Sequence, residues 1–329
     1  MTTVAPARSE STGDSLTAAR SSLANAFFSR LTAGAASLIL ITLAAVATFL
    51  VMRAWPAITS SSADLASKVD WLGTASSDTL IATIGYLVFG TLLIGTMALL
   101  IGAPISFGIA LFISHYAPRR LAATLGYIVD LLAAVPSVVY GLWGGFVLVP
   151  KLAPFYGWLN REFGWFPLFS GEVSPTGRVA LSASIVLAIM ILPIITAVTR
   201  EVFLQTPILH EEAALAMGAT RWEMIRMAVF PFARSGMIGA TMLGLGRALG
   251  ETMAVYMILS PGLSYSFHIL DASKHNTIAA NIALKFPEAN ATGVEALIAM
   301  GLALFVITLG VNVLARWIVS RRSEFSGAN

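Results

Sequence analysis

Cysteine is absent from all 329 residues. Disulfides, thiolate metal sites and a cysteine nucleophile are therefore excluded. The 4 histidines, His115, His210, His268 and His275, stand in no metal-ligand spacing. Charged residues make up only 11% of the chain, and the formal net charge of +3 is too small to point to nucleic acid. No lysine follows a glycine-rich run in the Walker A pattern, so nothing in the sequence provides for ATP hydrolysis. No short apolar core ending in a small-residue cleavage site opens the chain; residues 1–30 read as a polar, disordered cytoplasmic tail before an uncleaved first helix.

What remains is apolar. Hydrophobic residues reach 57% and the mean hydropathy is +0.81, more apolar surface than one water-soluble core can bury. The runs Leu31–Ala54, Leu80–Ser114, Leu121–Val149, Val179–Thr199, Ser235–Leu259 and Val294–Val319 each have membrane-spanning length. The expected fold is an all-α integral membrane protein with six transmembrane helices. Its layout is a tail (1–30), a first helix with its outer loop (31–79), a core of five helices (80–319) and a second cytoplasmic tail (320–329). An even number of spans puts both termini on one side. Placing them inside gathers Arg30, Arg119, Arg120, Arg200, Arg221, Arg226, Arg234 and Arg316 on the cytoplasmic face, the positive-inside pattern. Trp55, Trp71, Trp158, Trp165 and Phe166 fall at the outer ends as an interfacial belt, and the stretch PFYGWLNREFGWFPLF reads as a loop lying on the outer leaflet.

The least lipid-like internal stretch is EEAALAMGATRWEMIRMAVFP, Glu211 to Pro231. Thr206 and Pro207 form a helix start in which the threonine hydroxyl caps free amides, and Glu211 and Glu212 lie where the helix dipole favours carboxylates. Gly218 supplies a stop, and Thr220 to Glu223 is a capping box that launches a second helix ending at Pro231, also outside the bilayer. Ala213, Ala214 and Ala216 give the first helix a small-residue surface, suited either to another protein's groove or to folding back on its own chain.

In GLGRALGETMAV, Arg247 and Glu251 stand four apart inside the fifth span and so on one helical face. Intramembrane charge usually faces a bundle interior or a water-filled path. Two readings follow: an oxyanion path read by the guanidinium fork, or an ion pair that neutralises itself. Gly246 with Gly250, and Ala240 with Gly244, give this helix small faces for close packing. Asp130 sits in the third span, where it either pairs with Arg247 or lies nearer the interface if that span begins later. Pro136 breaks a helical hydrogen bond before Ser137 and Tyr140, turning polar groups toward the same path or serving as a packing kink.

The stretch EAALAMGATRWEMIRMAVFP resembles the EAA loop of ABC-importer permeases, with Glu212, Ala213, Ala214, Gly218 and Pro231 at that pattern's spacing and Ala228 and Phe230 departing from it. DLLAAVPSVVYGLWG and GLGRALGETMAV are similar to stretches of the permease subunits of phosphate-specific transporters. The resemblance implies a type I importer fold and a coupling loop at about 206–231. There Glu211, Glu212, Ala213, Ala214, Gly218, Ala219, Thr220 and Arg221 meet an ATPase subunit. It further implies import of inorganic phosphate past Arg247, Glu251, Asp130, Ser137 and Tyr140. The implied partners are a sister permease, two ATPase subunits and an external phosphate-binding protein. No cofactor is implied for this chain, ATP and magnesium being bound by the ATPase subunits. The alternative cargo is another oxyanion such as sulfate, molybdate or phosphonate. An intramembrane enzyme lacks a nucleophile and base within the spans, and a stand-alone channel or carrier leaves the EAA stretch unexplained.

Overall fold

A computed structural model describes residues 12–72 and 79–323. Their regular structure is entirely helical, and they divide into two units at Arg53 and Ala54. The first unit is most of α1 (Thr12–Thr59). This helix begins well inside the stretch expected to be a disordered tail, because alanine- and leucine-bearing sequence extends an apolar helix at little cost once it is nucleated. Residues 1–11 of that tail lie outside the described residues. Along α1, Phe27, Leu38, Ile39 and Met52 are exposed, as suits a helix whose solvent is hydrocarbon.

The second unit begins with the end of α1 and α2 (Ser62–Lys68). It is organised on α3 (Leu80–Leu111) and α7 (Ala180–Leu204). Thr79 caps α3 by accepting the Ala82 amide at 3.2 Å. Ser184 donates to the Ile94 carbonyl at 3.3 Å and Thr196 to the Ser106 carbonyl at 3.4 Å. The two contacts advance together along both helices, so α3 and α7 run in the same direction. With no water at this depth, buried hydroxyls take backbone carbonyls as partners. Ile94, Ala98, Leu187 and Ile191 pack in one core between the helices. In α7, 67% of the spanning window is buried, against at most 33% in any other spanning helix, which makes α7 the central helix.

Two expected spans are placed differently. The third is not Leu121–Val149: α4 (Arg119–Ala133) is a separate helix, and the spanning helix runs Ser137–Phe163 as α5 (Ser137–Trp143), a π-helical turn (Gly144–Leu148) and α6 (Val149–Phe163). Pro136 separates them, since it lacks an amide and drives Val135 out of the helical region. As α6 continues through Pro154 to Phe163, the first part of the expected outer loop is helical. The fifth span begins earlier than Ser235. The helix launched at Thr220 does not stop at Pro231: α9 (Arg221–Met224), a π-helical turn (Ile225–Val229) and α10 (Phe230–Leu249) make one spanning helix. Pro231 sits in the first turn of α10, just after the π turn, where a missing amide costs little. This helix also ends earlier, at Gly250.

After α11 (Met253–Ile258), residues 259–277 form an extended connection to α12 (Ile278–Lys285), and α13 (Ala291–Ser323) closes the unit. The connection is held against α3, where the Asn276 carbonyl occupies the space that a Cβ on Gly90 would need; only glycine permits this approach. The starts of α3 and α13 share the cluster of Leu80, Leu87, Ala296 and Leu297, so α13 runs in the direction of α3 and α7. Alternation of the spans gives α10 the opposite direction. Within the described residues, α13 ends at Ser323, inside the expected tail of 320–329; residues 324–329 lie outside them.

Candidate coupling and translocation sites

The candidate coupling segment is α8 (Ile208–Ala216) with the turn that follows it. Gly218 has φ of +86°, the left-handed backbone that favours glycine. Its amide donates to the Leu215 carbonyl at 3.0 Å, and the Ala219 amide to the Ala214 carbonyl at 3.2 Å, the pattern of a glycine-terminated helix. Thr220 opens the capping box: its amide donates to Glu223 Oε2 at 2.7 Å, and its Oγ1 accepts the Glu223 amide at 3.4 Å. The expected threonine cap on α8 is not formed. Pro207 occupies the cap position without a side-chain bond, and the Thr206 hydroxyl is buried without a partner.

Glu212, Ala213, Thr220 and Arg221 are exposed, Glu211 and Ala219 half-buried. Ala214 instead points into the chain's own cluster with Phe203, Ile225 and Val229, so one of the alanines anchors the helix and does not offer a surface. Ile208, Leu209, Leu215 and Met217 are exposed and add an apolar rim absent from the sequence reading. Glu211 Oε1 lies 3.5 Å from His115 Nε2, beyond the end of α3, tying α8 to the helix that packs on α7.

Arg247 and Glu251 do not pair. The helix ends at Gly250, so the regular spacing that would stack them is lost. Glu251, 8% exposed, accepts the Ala254 amide at 3.2 Å through Oε1 and caps α11. Arg247 Nε is buried without a hydrogen-bond partner, and the side chain lines a cavity of about 940 Å³ between α7, α10 and α13. Tyr140 is within electrostatic range of Arg247, and its hydroxyl donates to the Leu132 carbonyl at 3.0 Å, bridging the Pro136 break. Ser137 opens α5, half-buried. Asp130 does not join this group. It lies on α4, with its carboxylate 4.0 Å from Arg200 Nη2 on α7, and that guanidinium also binds Glu201 Oε1 at 2.8 Å. Of the two placements left open for Asp130, the one outside the span is found.

Two buried features escaped the sequence reading. Tyr156, in the expected outer loop, is fully buried and shares a 2.7 Å hydrogen bond with Ser182 of α7. Asp271, His275, Asn276 and Asn281 are buried along the connection into α12. His275 Nε2 meets the Ser266 carbonyl at 2.7 Å, and burial lowers the His275 pKa below its ordinary value, though the Ser266 bond and the Asp271 charge oppose this. No helical or strand spacing marks these residues: Tyr156 meets a partner 26 positions away, and the contacts of His275, Asn276 and Asp271 form within an irregular connection and at the start of α12.

Among the described residues, six apolar helices long enough to cross a membrane, a charged helical elbow between two of them and an intramembrane arginine without an ion-pair partner are the parts of a transport permease. Residues 102–324 match the family described as binding-protein-dependent transport system inner membrane component. The chain belongs to that family and is a multi-pass inner-membrane protein. It is 46% identical over 288 residues to the Phosphate transport system permease protein PstC 2 of Mycobacterium tuberculosis (strain ATCC 25618 / H37Rv), covering 86% of this chain and 87% of that one. It is 45% identical to PstC of Mycobacterium leprae (84% and 87% covered) and 37% identical to PstC of Mesorhizobium japonicum (95% of each). Among solved structures, an inward-facing MetNI methionine ABC transporter chain matches with a TM-score of 0.50 at 18% identity, over 76% of this chain and 96% of that one. A chain of a bacterial ABC transporter importing alginate gives the same score over 74% and 79%. These structural likenesses show the fold, that of type I importer permeases.

Proposed function

We propose that the chain is the permease subunit through which an ATP-driven importer carries inorganic phosphate across the inner membrane. The carrying observation is Arg247, half-buried on the wall of an intramembrane cavity, with its Nε buried without a hydrogen-bond partner and no carboxylate partner among the described residues. Partly desolvated and without a carboxylate beside it, such a charge within a membrane is costly unless an anion neutralises it, and its planar fork matches two oxygens of a tetrahedral oxyanion. The names of the relatives at 37–46% identity point to the same cargo.

In this reading the segment 206–231 is the coupling loop and faces the cytoplasm with both termini. Glu211, Glu212, Ala213, Gly218, Ala219, Thr220 and Arg221 form its contact with one of two ATPase subunits, which bind ATP and magnesium; this chain needs no cofactor of its own. A sister permease completes the path, and an external phosphate-binding protein delivers the cargo. ATP-driven closure of the ATPases moves α8. The 3.5 Å contact between Glu211 and His115, together with the Ala214 cluster, passes that motion to α3, α7 and α10. Tyr140 and Glu251 hold the backbone breaks beside Arg247, Ser137 borders the same break, and Asp130 braces α4 on α7.

A guanidinium reads geometry and charge, which sulfate, molybdate and phosphonate share, so another oxyanion is the second reading. The test is ATP-driven uptake by the purified complex in proteoliposomes, comparing labelled phosphate with sulfate, molybdate and a phosphonate. ATP-dependent accumulation of phosphate above the others is expected. Preference for another anion replaces the cargo, and uptake without ATP overturns the coupled mechanism.

A further inference from the structure

The cavity at Arg247 extends well past that residue. Its wall includes Ser235, Gly239 and Gly246 of α10, and Asn312 and Arg316 of α13. From Ser235 to Arg247 is twelve residues, about 18 Å at helical rise, roughly three-fifths of a bilayer's hydrocarbon core of about 30 Å. Since α10 starts beside α8 while α13 runs toward the α8 end, Ser235 marks that end on α10. Arg316 lies one turn nearer to it than Asn312.

We propose that this cavity is the release vestibule of the transport path and that Arg316 is a second oxyanion station between Arg247 and the α8 end. The inference rests on the reading of the chain as an oxyanion permease and adds a residue and a direction to it. No carboxylate among the described residues lines the cavity, whereas two guanidinia, a serine hydroxyl and an asparagine amide do. Arg316 has no ion-pair partner among the described residues, and Arg247 Nε has no hydrogen-bond partner. Two like charges in one largely apolar cavity repel each other and concentrate anions between low-dielectric walls. An oxyanion leaving Arg247 would otherwise face an apolar passage alone. A second guanidinium keeps it compensated, and dividing recognition between two stations keeps each weak enough to release. Charge complementarity favours a hydrated oxyanion over a lipid chain or a neighbouring helix as the occupant.

Gly239 provides the test, because a Cβ there meets nothing within 4 Å and the chain has no cysteine of its own. In the assembled complex, Gly239→Cys is reacted with a sulfonate-bearing and a trimethylammonium-bearing methanethiosulfonate of similar size, the wild-type complex giving the background. The anionic reagent is expected to react about tenfold faster, phosphate to slow it, and Arg316→Gln to remove most of the preference. Arg316→Lys, which keeps the charge, should retain it. In the same vesicles Arg316→Gln is expected to lower phosphate uptake about tenfold while ATP hydrolysis continues.

Equal rates for the two reagents overturn the proposal. So does a preference indifferent to Arg316→Gln, lysine behaving as glutamine, or an unreactive thiol in a complex that still transports, which would place a packed helix or lipid in the cavity. If the complex takes up no phosphate but the thiol keeps its anion preference and sulfate protects it, the cargo assignment fails and the vestibule stands.

Discussion

The Glu251 carboxylate accepts the Ala254 amide at 3.2 Å and makes no ion pair with Arg247. A cap and an ion pair respond differently to substitution. Glu251→Ala removes the acceptor and should lower stability by about 1 kcal/mol, while Glu251→Gln keeps an oxygen in place and should cost a few tenths. Thermal unfolding of the purified complex in detergent measures the difference. Equal losses from both substitutions would mean that the charge, not the cap, is what matters.

For the same reason Arg247 has no carboxylate to balance among the described residues. Arg247→Gln should reduce phosphate uptake ten- to a hundredfold with the complex still assembled, the loss of a charge-assisted contact of roughly 1.5 to 3 kcal/mol. Combining it with Glu251→Gln should not restore uptake. Recovery in the double variant would show a self-neutralising pair and remove Arg247 from substrate recognition.

At Gly218 the backbone, not the space, forbids a side chain: φ is +86°, yet a Cβ meets nothing within 4 Å. A β-branched residue in this conformation costs on the order of 1–2 kcal/mol. Gly218→Val should therefore shift the α8 turn and uncouple ATP hydrolysis from uptake, while membrane insertion is retained. Gly218→Ala, which lacks the β-branch, should be milder. Normal uptake per ATP hydrolysed in the valine variant would separate this turn from coupling.

The spans were legible where apolar runs end at unambiguous caps: α3 begins at Leu80 as expected, and α13 spans the expected run. The capping box at Thr220 and the glycine stop at Gly218 were legible because both are set by adjacent residues. Hydropathy could not place the break at Pro136 or the helix end at Gly250, since apolar residues continue across both. Of the alternatives that helical spacing left open, the two that needed an unbroken helix, an Arg247–Glu251 ion pair and an Asp130 partner for Arg247 within the span, are not the ones found. Tyr156 stayed invisible for a different reason: its burial and its bond to Ser182 come from α7, a separate helix, and no local pattern announces them.

Burial lowers the His275 pKa, so the folded protein holds this imidazole neutral at pH values where the unfolded chain protonates it. Asp271, His268 and Lys274 face it electrostatically, the first opposing the shift and the other two adding to it. The unfolded state then binds more protons as pH falls through the ordinary histidine value of about 6.5, and stability declines. Its contribution is intact above that value and is lost progressively below it, levelling off once the folded-state pKa is passed. Thermal midpoints measured from pH 8 to pH 5 should fall for the wild type, with a shallower slope in His275→Gln. Identical slopes would assign the acid sensitivity to other groups.

The orientation of the chain can be tested at two residues that are each 79% exposed, Met217 beside the Gly218 turn and Trp165 beyond α6. The arginines of the α8 end, Arg119, Arg120, Arg200, Arg221, Arg226 and Arg234, outnumber the acidic residues around them, and excess positive charge near span ends is retained on the cytoplasmic side. Trp165 follows the helix leading away from that end, so it should face outward. In the cysteine-free chain, Trp165→Cys should react with a membrane-impermeant maleimide in intact cells, and Met217→Cys only after permeabilisation. Because an ATPase seated on α8 would shield the second thiol, its labelling in permeabilised cells should also rise when the ATPase subunits are omitted. Reaction of Met217→Cys in intact cells, with Trp165→Cys silent until permeabilisation, would invert the map and place the coupling segment beyond the reach of any cytoplasmic ATPase.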